Sequence, residues 1–176
     1  MPEITLIAHN IRSTHNVGSI FRTAEGFGVK KIILSGYTPY PSHNGDSRLP
    51  HIAQKIQSQI HKTALGAESL VPFEHYETLD AWFQDNNATS NPLTVIALEQ
   101  NAKSHPIQEY QPDKAFALLL GEEVKGIELN YLKHCNHIIE IPMSGKKESF
   151  NVSVACGIAL YALSFNSNAI LANNGN

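Results

Sequence analysis

The 176 residues, 42% of them hydrophobic, suffice to bury one sizeable core and are too few for two full domains. A formal net charge of -3 is unlike that of a histone-like or tail-type nucleic-acid binder, so any contact with RNA or DNA has to come from local patches. The opening stretch MPEITLIAHNIRS lacks the features of a signal peptide, no apolar run approaches membrane-spanning length, and Cys135 and Cys156 stand outside any CxxC spacing, which together read as a cytoplasmic protein with two reduced thiols.

Residues 4–8 read as a strand, 14–27 as a helix closed by Gly26 and Gly28, and 31–35 as the next strand. Residues 37–50, with Pro39, Pro41, Gly45 and Pro50, form a long polar loop of the kind used as a lid or an RNA-facing element. Residues 52–60 have helical spacing, 62–68 make a second short helical piece, 70–73 a strand, and 79–83 lie in another helix. The runs 93–98 and 116–120 are continuously apolar, without the alternation expected when one sheet face meets water, and belong in the middle of a parallel sheet. Ile138, Ile139 and Ile141 give a short β-branched run that Pro142 ends. Residues 152–165 then read as a helix, apolar on most of its faces, with Asn151 as its N-cap. The chain from Asn166 onward, rich in Asn, Ala and Gly, reads as a frayed tail. Helices interleaved with buried strands predict a single α/β domain over residues 1–165, a mainly parallel sheet with helices on both faces.

Chemistry concentrates in three places. In NIRSTHNVGSIFRTAEGFG, Asn16 and Arg22 are six residues apart, a little under two helical turns, and are predicted to face one pocket. In LLLGEEVKGI a buried strand ends at Gly121, two carboxylates follow, and Gly126 closes the turn, as in a ligand loop at the carboxyl end of a parallel strand. Neither a phosphate-binding GK[ST] loop nor a GxGxxG fingerprint is present. In IPMSGKKESFNVSVACGIALYA a strand end passes through a basic loop into a helix, so that Ser149, Phe150 and Asn151 sit at a positive helix end. Taken alone, that last segment reads more readily as an ordinary capped helix than as a site.

In this order, NxxxxxR, LGxExxG and IPM followed by SxN and a helix resemble the SpoU (TrmH-like) branch of the SPOUT RNA methyltransferases. The resemblance runs from Asn10 to Tyr161, and departs from the usual SLN only by Phe150. It implies a parallel α/β domain whose C-terminal part is threaded as a deep trefoil knot, S-adenosyl-L-methionine as cofactor, a homodimer in which the motif 1 arginine serves the partner's cofactor, and methylation of a ribose 2′-hydroxyl of RNA. Compactness favours transfer RNA over ribosomal RNA by analogy; a catalytically silent knotted RNA-binding dimer is the other alternative. The resemblance assigns Arg22 to the reacting oxygen, with Asn16, Glu123, Ser149 and Asn151 as the supporting catalytic set. Leu98, Gly121, Ile141, Met143, Ser149 and Phe150 are the expected cofactor contacts, and Arg12, Arg48, Lys125, Lys146 and Lys147 the candidate RNA contacts. His9 and His15 flank motif 1 as structural or RNA-adjacent residues, and no His spacing suggests a metal site.

Overall fold

Parallel pairing of every strand follows from the way each is separated from its neighbour by a helix or a long crossover. The computed structural model describes residues 1–165, so the expected frayed tail lies outside the described residues. In chain order the elements are β1 (Glu3–His9), α1 (Thr14–Gly26), β2 (Lys31–Ser35), α2 (Pro50–Ala64), β3 (Phe73–Tyr76), α3 (Leu79–Ala88), β4 (Thr94–Leu98), β5 (His105–Pro106), β6 (Ala115–Leu120), α4 (Leu129–Leu132), β7 (His137–Glu140) and α5 (Val152–Phe165). They form one seven-stranded sheet in the order β3-β2-β1-β6-β4-β7-β5, parallel throughout.

The absence of alternation in β4 and β6 has the cause expected of it. Ile96 pairs with Leu118 and Ala97 with Leu119, and both sheet faces are covered. On one face Leu118 and Ile96 pack with Phe21 of α1, Ile60 of α2 and Leu160 of α5. On the other, Leu119 and Ala97 pack with Trp82 and Phe83 of α3 and Leu132 of α4. Each such fully buried aliphatic side chain contributes about 1.5–3 kcal/mol relative to exposure.

Two local expectations are corrected. The helical stretches 52–60 and 62–68 are mostly one helix, α2, which starts at Pro50 and stops where Leu65 and then Gly66 turn left-handed, at φ 52° and 100°; only residues 67–69 form a separate 3₁₀ turn. The strand expected at 70–73 lies instead at β3, three residues later than its apolar signal. Leu70 is exposed and Val71 is buried under α1 and α2, and the sheet begins after Pro72, whose carbonyl accepts from Ile32 N–H. As an edge strand β3 has no need of an apolar run. Short β5 and α4 had no sequence signal of their own.

The helix α5 begins as expected: Asn151 Oδ1 accepts from Ser153 N–H at 2.9 Å. Cys156, Ala159, Leu160 and Leu163 face the core, while Val154, Tyr161 and Phe165 remain 44–63% exposed.

Candidate active site

The chain turns back on itself between the two halves of the sheet: β1, β2 and β3 run outward on one side, and β4 then starts on the far side of β6. A crevice at the carboxyl ends of the strands is the geometric result. A cavity of about 210 Å³ lies there, at the ends of β4, β6 and β7. All of Leu98, Gly121, Ile141, Met143, Ser149 and Phe150 line it, together with aliphatic Leu120, Val152 and Ala155.

The turn after β6 is held in one shape. Glu122 and Gly126 exchange backbone hydrogen bonds at 3.2 and 2.9 Å, and Gly126 takes φ 67°, which glycine adopts without strain. A Cβ on Gly121 would lie 2.5 Å from the Gly126 carbonyl carbon, so the close approach that needs glycine here is within the turn. Glu99, just beyond β4, accepts from Ile127 N–H at 2.7 Å and ties the turn to the next strand.

The three motifs meet in one hydrogen-bond chain. Asn151 Nδ2 donates to Asn16 Oδ1 at 3.2 Å, and Asn16 Nδ2 donates to Glu123 Oε1 at 3.0 Å. Glu123 also accepts from the backbone N–H groups of Arg12 at 3.1 Å and Ser13 at 3.3 Å. Ser13 in turn caps α1 by accepting from Asn16 N–H. Partial burial raises the Glu123 pKa, but the hydrogen bonds from Asn16, Arg12 and Ser13 outweigh it and leave the carboxyl below its ordinary value.

Arg22 does not join this cluster within its own chain. Six residues leave it about 120° around the helix from Asn16 and about 9 Å along the axis, so the expected shared pocket is not formed within this chain. Arg22 is exposed, with no ion pair or side-chain hydrogen bond among the described residues, and does not line the cavity. Ser149 does line it, from the exposed loop before α5.

The cations divide. Lys125, Lys146 and Lys147 are exposed and without ion-pair partners among the described residues, and Lys125 lies on the cavity. Arg12 is exposed but pairs with Glu122, whose side chain is only 5% accessible. Arg48 is a correction. Its guanidinium holds Asp46 through Nε at 2.9 Å and Nη2 at 2.5 Å, donates to the carbonyls of Tyr40 and Pro41, and stacks 3.6 Å over the Tyr40 ring. With Nε, Nη1 and Nη2 all engaged in the loop, little is left to offer a phosphate; Arg48 pins residues 40–48, and holds the Asp46 carboxyl far below its usual range.

His9 is structural: 4% exposed, with Nδ1 2.9 Å from Ser35 Oγ, and pushed below its ordinary pKa by burial. His15 is exposed and contributes its carbonyl to Thr63. Burial drives both thiols up to about 12, far from nucleophilic. Among the described residues no group of three or more His, Cys, Asp and Glu is placed to hold a metal ion, and no helix is long and apolar enough to cross a membrane. Sequence reasoning missed Glu99, Gln100, Glu122 and Glu140 on the cavity wall. Glu99 and Glu140 stand at the carboxyl ends of parallel strands, the same signal that drew attention to Gly121.

The model of the SpoU rRNA Methylase family matches residues 3–161. The chain is 29% identical over 163 residues to the 23S rRNA (guanosine-2′-O-)-methyltransferase RlmB of Coxiella burnetii, covering 91% of this chain and 57% of that protein. It is 29% identical over 160 residues to an uncharacterized tRNA/rRNA methyltransferase of Synechocystis, covering 91% of this chain and 37% of that protein. The chain thus spans little more than half the length of these curated relatives, or less. The fold is similar to that of the AdoMet-bound rRNA methyltransferase from Sinorhizobium meliloti, with a TM-score of 0.74 at 22% identity over 91% of this chain and 55% of that one. With a family match over nearly all of its length, the chain belongs to the SpoU rRNA methylase family.

Proposed function

We propose that this chain transfers a methyl group from S-adenosylmethionine to a ribose 2′-hydroxyl of RNA, in the cytoplasm, with ribosomal RNA as the substrate class. One observation carries the reading: the chain from Asn151 through Asn16 to Glu123, which draws three distant motifs to the rim of one cavity. Transfer RNA, expected from compactness, loses its support. The chain matches little more than half of the longer RlmB relatives, which are 23S rRNA methyltransferases by name.

The lining fits the cofactor. Leu98, Leu120, Ile141, Val152 and Ala155 offer an apolar slot for adenine, and Glu99 and Glu140 add negative charge to the wall that would suit a sulfonium cation, while Glu122 is already paired with Arg12. When bound, the cofactor supplies a methyl carbon made electrophilic by positive sulfur. The chain's own residues have to bring a 2′-oxygen of high pKa into line and support the charge it develops as its proton passes to solvent water. Asn16, locked between Glu123 and Asn151, orients the ribose. Ser149 completes the polar wall. Arg22, always protonated, stabilises the developing alkoxide across a homodimer interface, where the exposed face of α5 with Val154 and Tyr161 supplies the apolar contact. The fold similarity and the convergence of loops 121–128 and 141–151 on one cavity support a knotted C-terminal path.

Mass spectrometry of ribose-methylated nucleosides, in RNA from cells with and without the protein, tests the reading. Loss of one 2′-O-methyl mark from ribosomal RNA is the expected result. Loss from transfer RNA alone would move the substrate, and an unchanged profile would leave the silent RNA-binding dimer in its place.

A further inference from the structure

Tyr37, in the loop after β2, is a large aromatic side chain left 54% exposed, and methyl transfer as described above makes no use of it. Its backbone is nonetheless fixed from several directions. Tyr37 N–H donates to Asn10 Oδ1 at 3.2 Å, and Asn10 itself holds φ 57°. The adjoining Thr38 is 2% exposed; its hydroxyl accepts from Ile11 N–H at 3.0 Å and donates toward the Ala8 and Ser35 carbonyls. A ring with so rigid a base loses little entropy when something packs on it.

The ring is also joined to the catalytic cluster. The Arg12 guanidinium lies 6.0 Å from its centroid. Arg12 is in turn held at both ends, its guanidinium by buried Glu122 and its backbone N–H by Glu123. Pairing with Glu122 offsets the charge of Arg12 and weakens it as a phosphate contact, the role expected from sequence. A planar, weakly hydrated guanidinium beside an aromatic face is suited instead to stacking. Single-stranded bases are held in this way, between aromatic rings and arginine planes.

We propose that Tyr37, backed by Arg12, is a stacking platform for an RNA nucleobase beside the ribose that is methylated. The proposal rests on the methyltransferase reading for its substrate class, and its failure can be told apart from the failure of that reading.

The test compares binding of a short single-stranded RNA with that of an abasic ribose–phosphate strand of equal length, by fluorescence anisotropy on the full chain. The wild type should prefer the base-bearing strand by roughly tenfold, the order of one stacked base. Tyr37→Ala should remove that preference and leave the abasic strand's affinity unchanged, and Tyr37→Phe should keep most of it. A wild type indifferent to bases, a Tyr37→Ala that still prefers them, or an equal loss on both strands as a protein-docking or purely electrostatic surface would give, overturns the proposal. Methyl incorporation into ribosomal RNA is measured alongside. Base preference without any methylation would sink the methyltransferase reading and spare the platform; methylation at unchanged KM by Tyr37→Ala would do the reverse.

Discussion

Arg22 and Asn16 show how little a shared helix says about a shared direction. Both belong to α1, yet Asn16 is bonded to two other motifs while Arg22 points to solvent. We expect Arg22→Ala to lower methyl transfer at least a hundredfold with cofactor affinity nearly unchanged, since the side chain does not line the cavity. Full activity in that variant would remove Arg22 from the chemistry. Glu123 makes a prediction of a different kind. Its folded-state pKa is depressed below the ordinary value of a glutamate, so its stabilising contribution is complete above that ordinary value and is lost as pH falls through the lowered one. Glu123→Gln should therefore be less stable than the parent at neutral pH, with the gap closing in acid. Parallel stability curves from pH 7 to strongly acidic pH would contradict the role of the carboxylate.

Among the elements, α1 and α2 cross at Gly18. A Cβ there would sit 2.2 Å from Thr63 Oγ1 and 2.3 Å from the Ile60 carbonyl oxygen, and a backbone oxygen cannot rotate away. Gly18→Ala should destabilise the fold by about 1–3 kcal/mol, read as a lower urea midpoint from the single Trp82; an unchanged midpoint would mean that α2 yields freely. Helices α1 and α5 and the central strands were legible in the sequence because burial on both faces writes a continuous apolar run, as in 116–120, and because Asn151 and the glycines punctuate the ends. Edge strand β3 was not, since an edge needs no such run. The cavity contacts came with the family resemblance, and Leu98, Gly121 and Ile141 among them sit where strands end. The fate of Arg48 was not legible, because a charge turned onto its own loop looks in sequence like any surface charge; only the proximity of Asp46 hinted at it.

For the whole molecule, the separation of Arg22 from Asn16 has a decisive test. If Arg22 serves the partner's cavity, mixing inactive Arg22→Ala with inactive Asn16→Ala should restore part of the activity, because each mixed dimer holds one intact pair. If Arg22 acts within its own chain, every mixture stays dead. Radiolabelled methyl transfer after exchange of subunits distinguishes the two. The strand order carries a consequence of another sort. β1, β2 and β3 are consecutive neighbours and can pair as soon as they leave the ribosome, whereas β4 lies between β6 and β7, meets no strand partner until β6 has been made, and is covered on its other edge only after β7. Its Val95, Ile96 and Ala97, buried at 0–2% in the finished fold, thus wait uncovered during synthesis. That interval is when this chain is most exposed to aggregation and most in need of a chaperone.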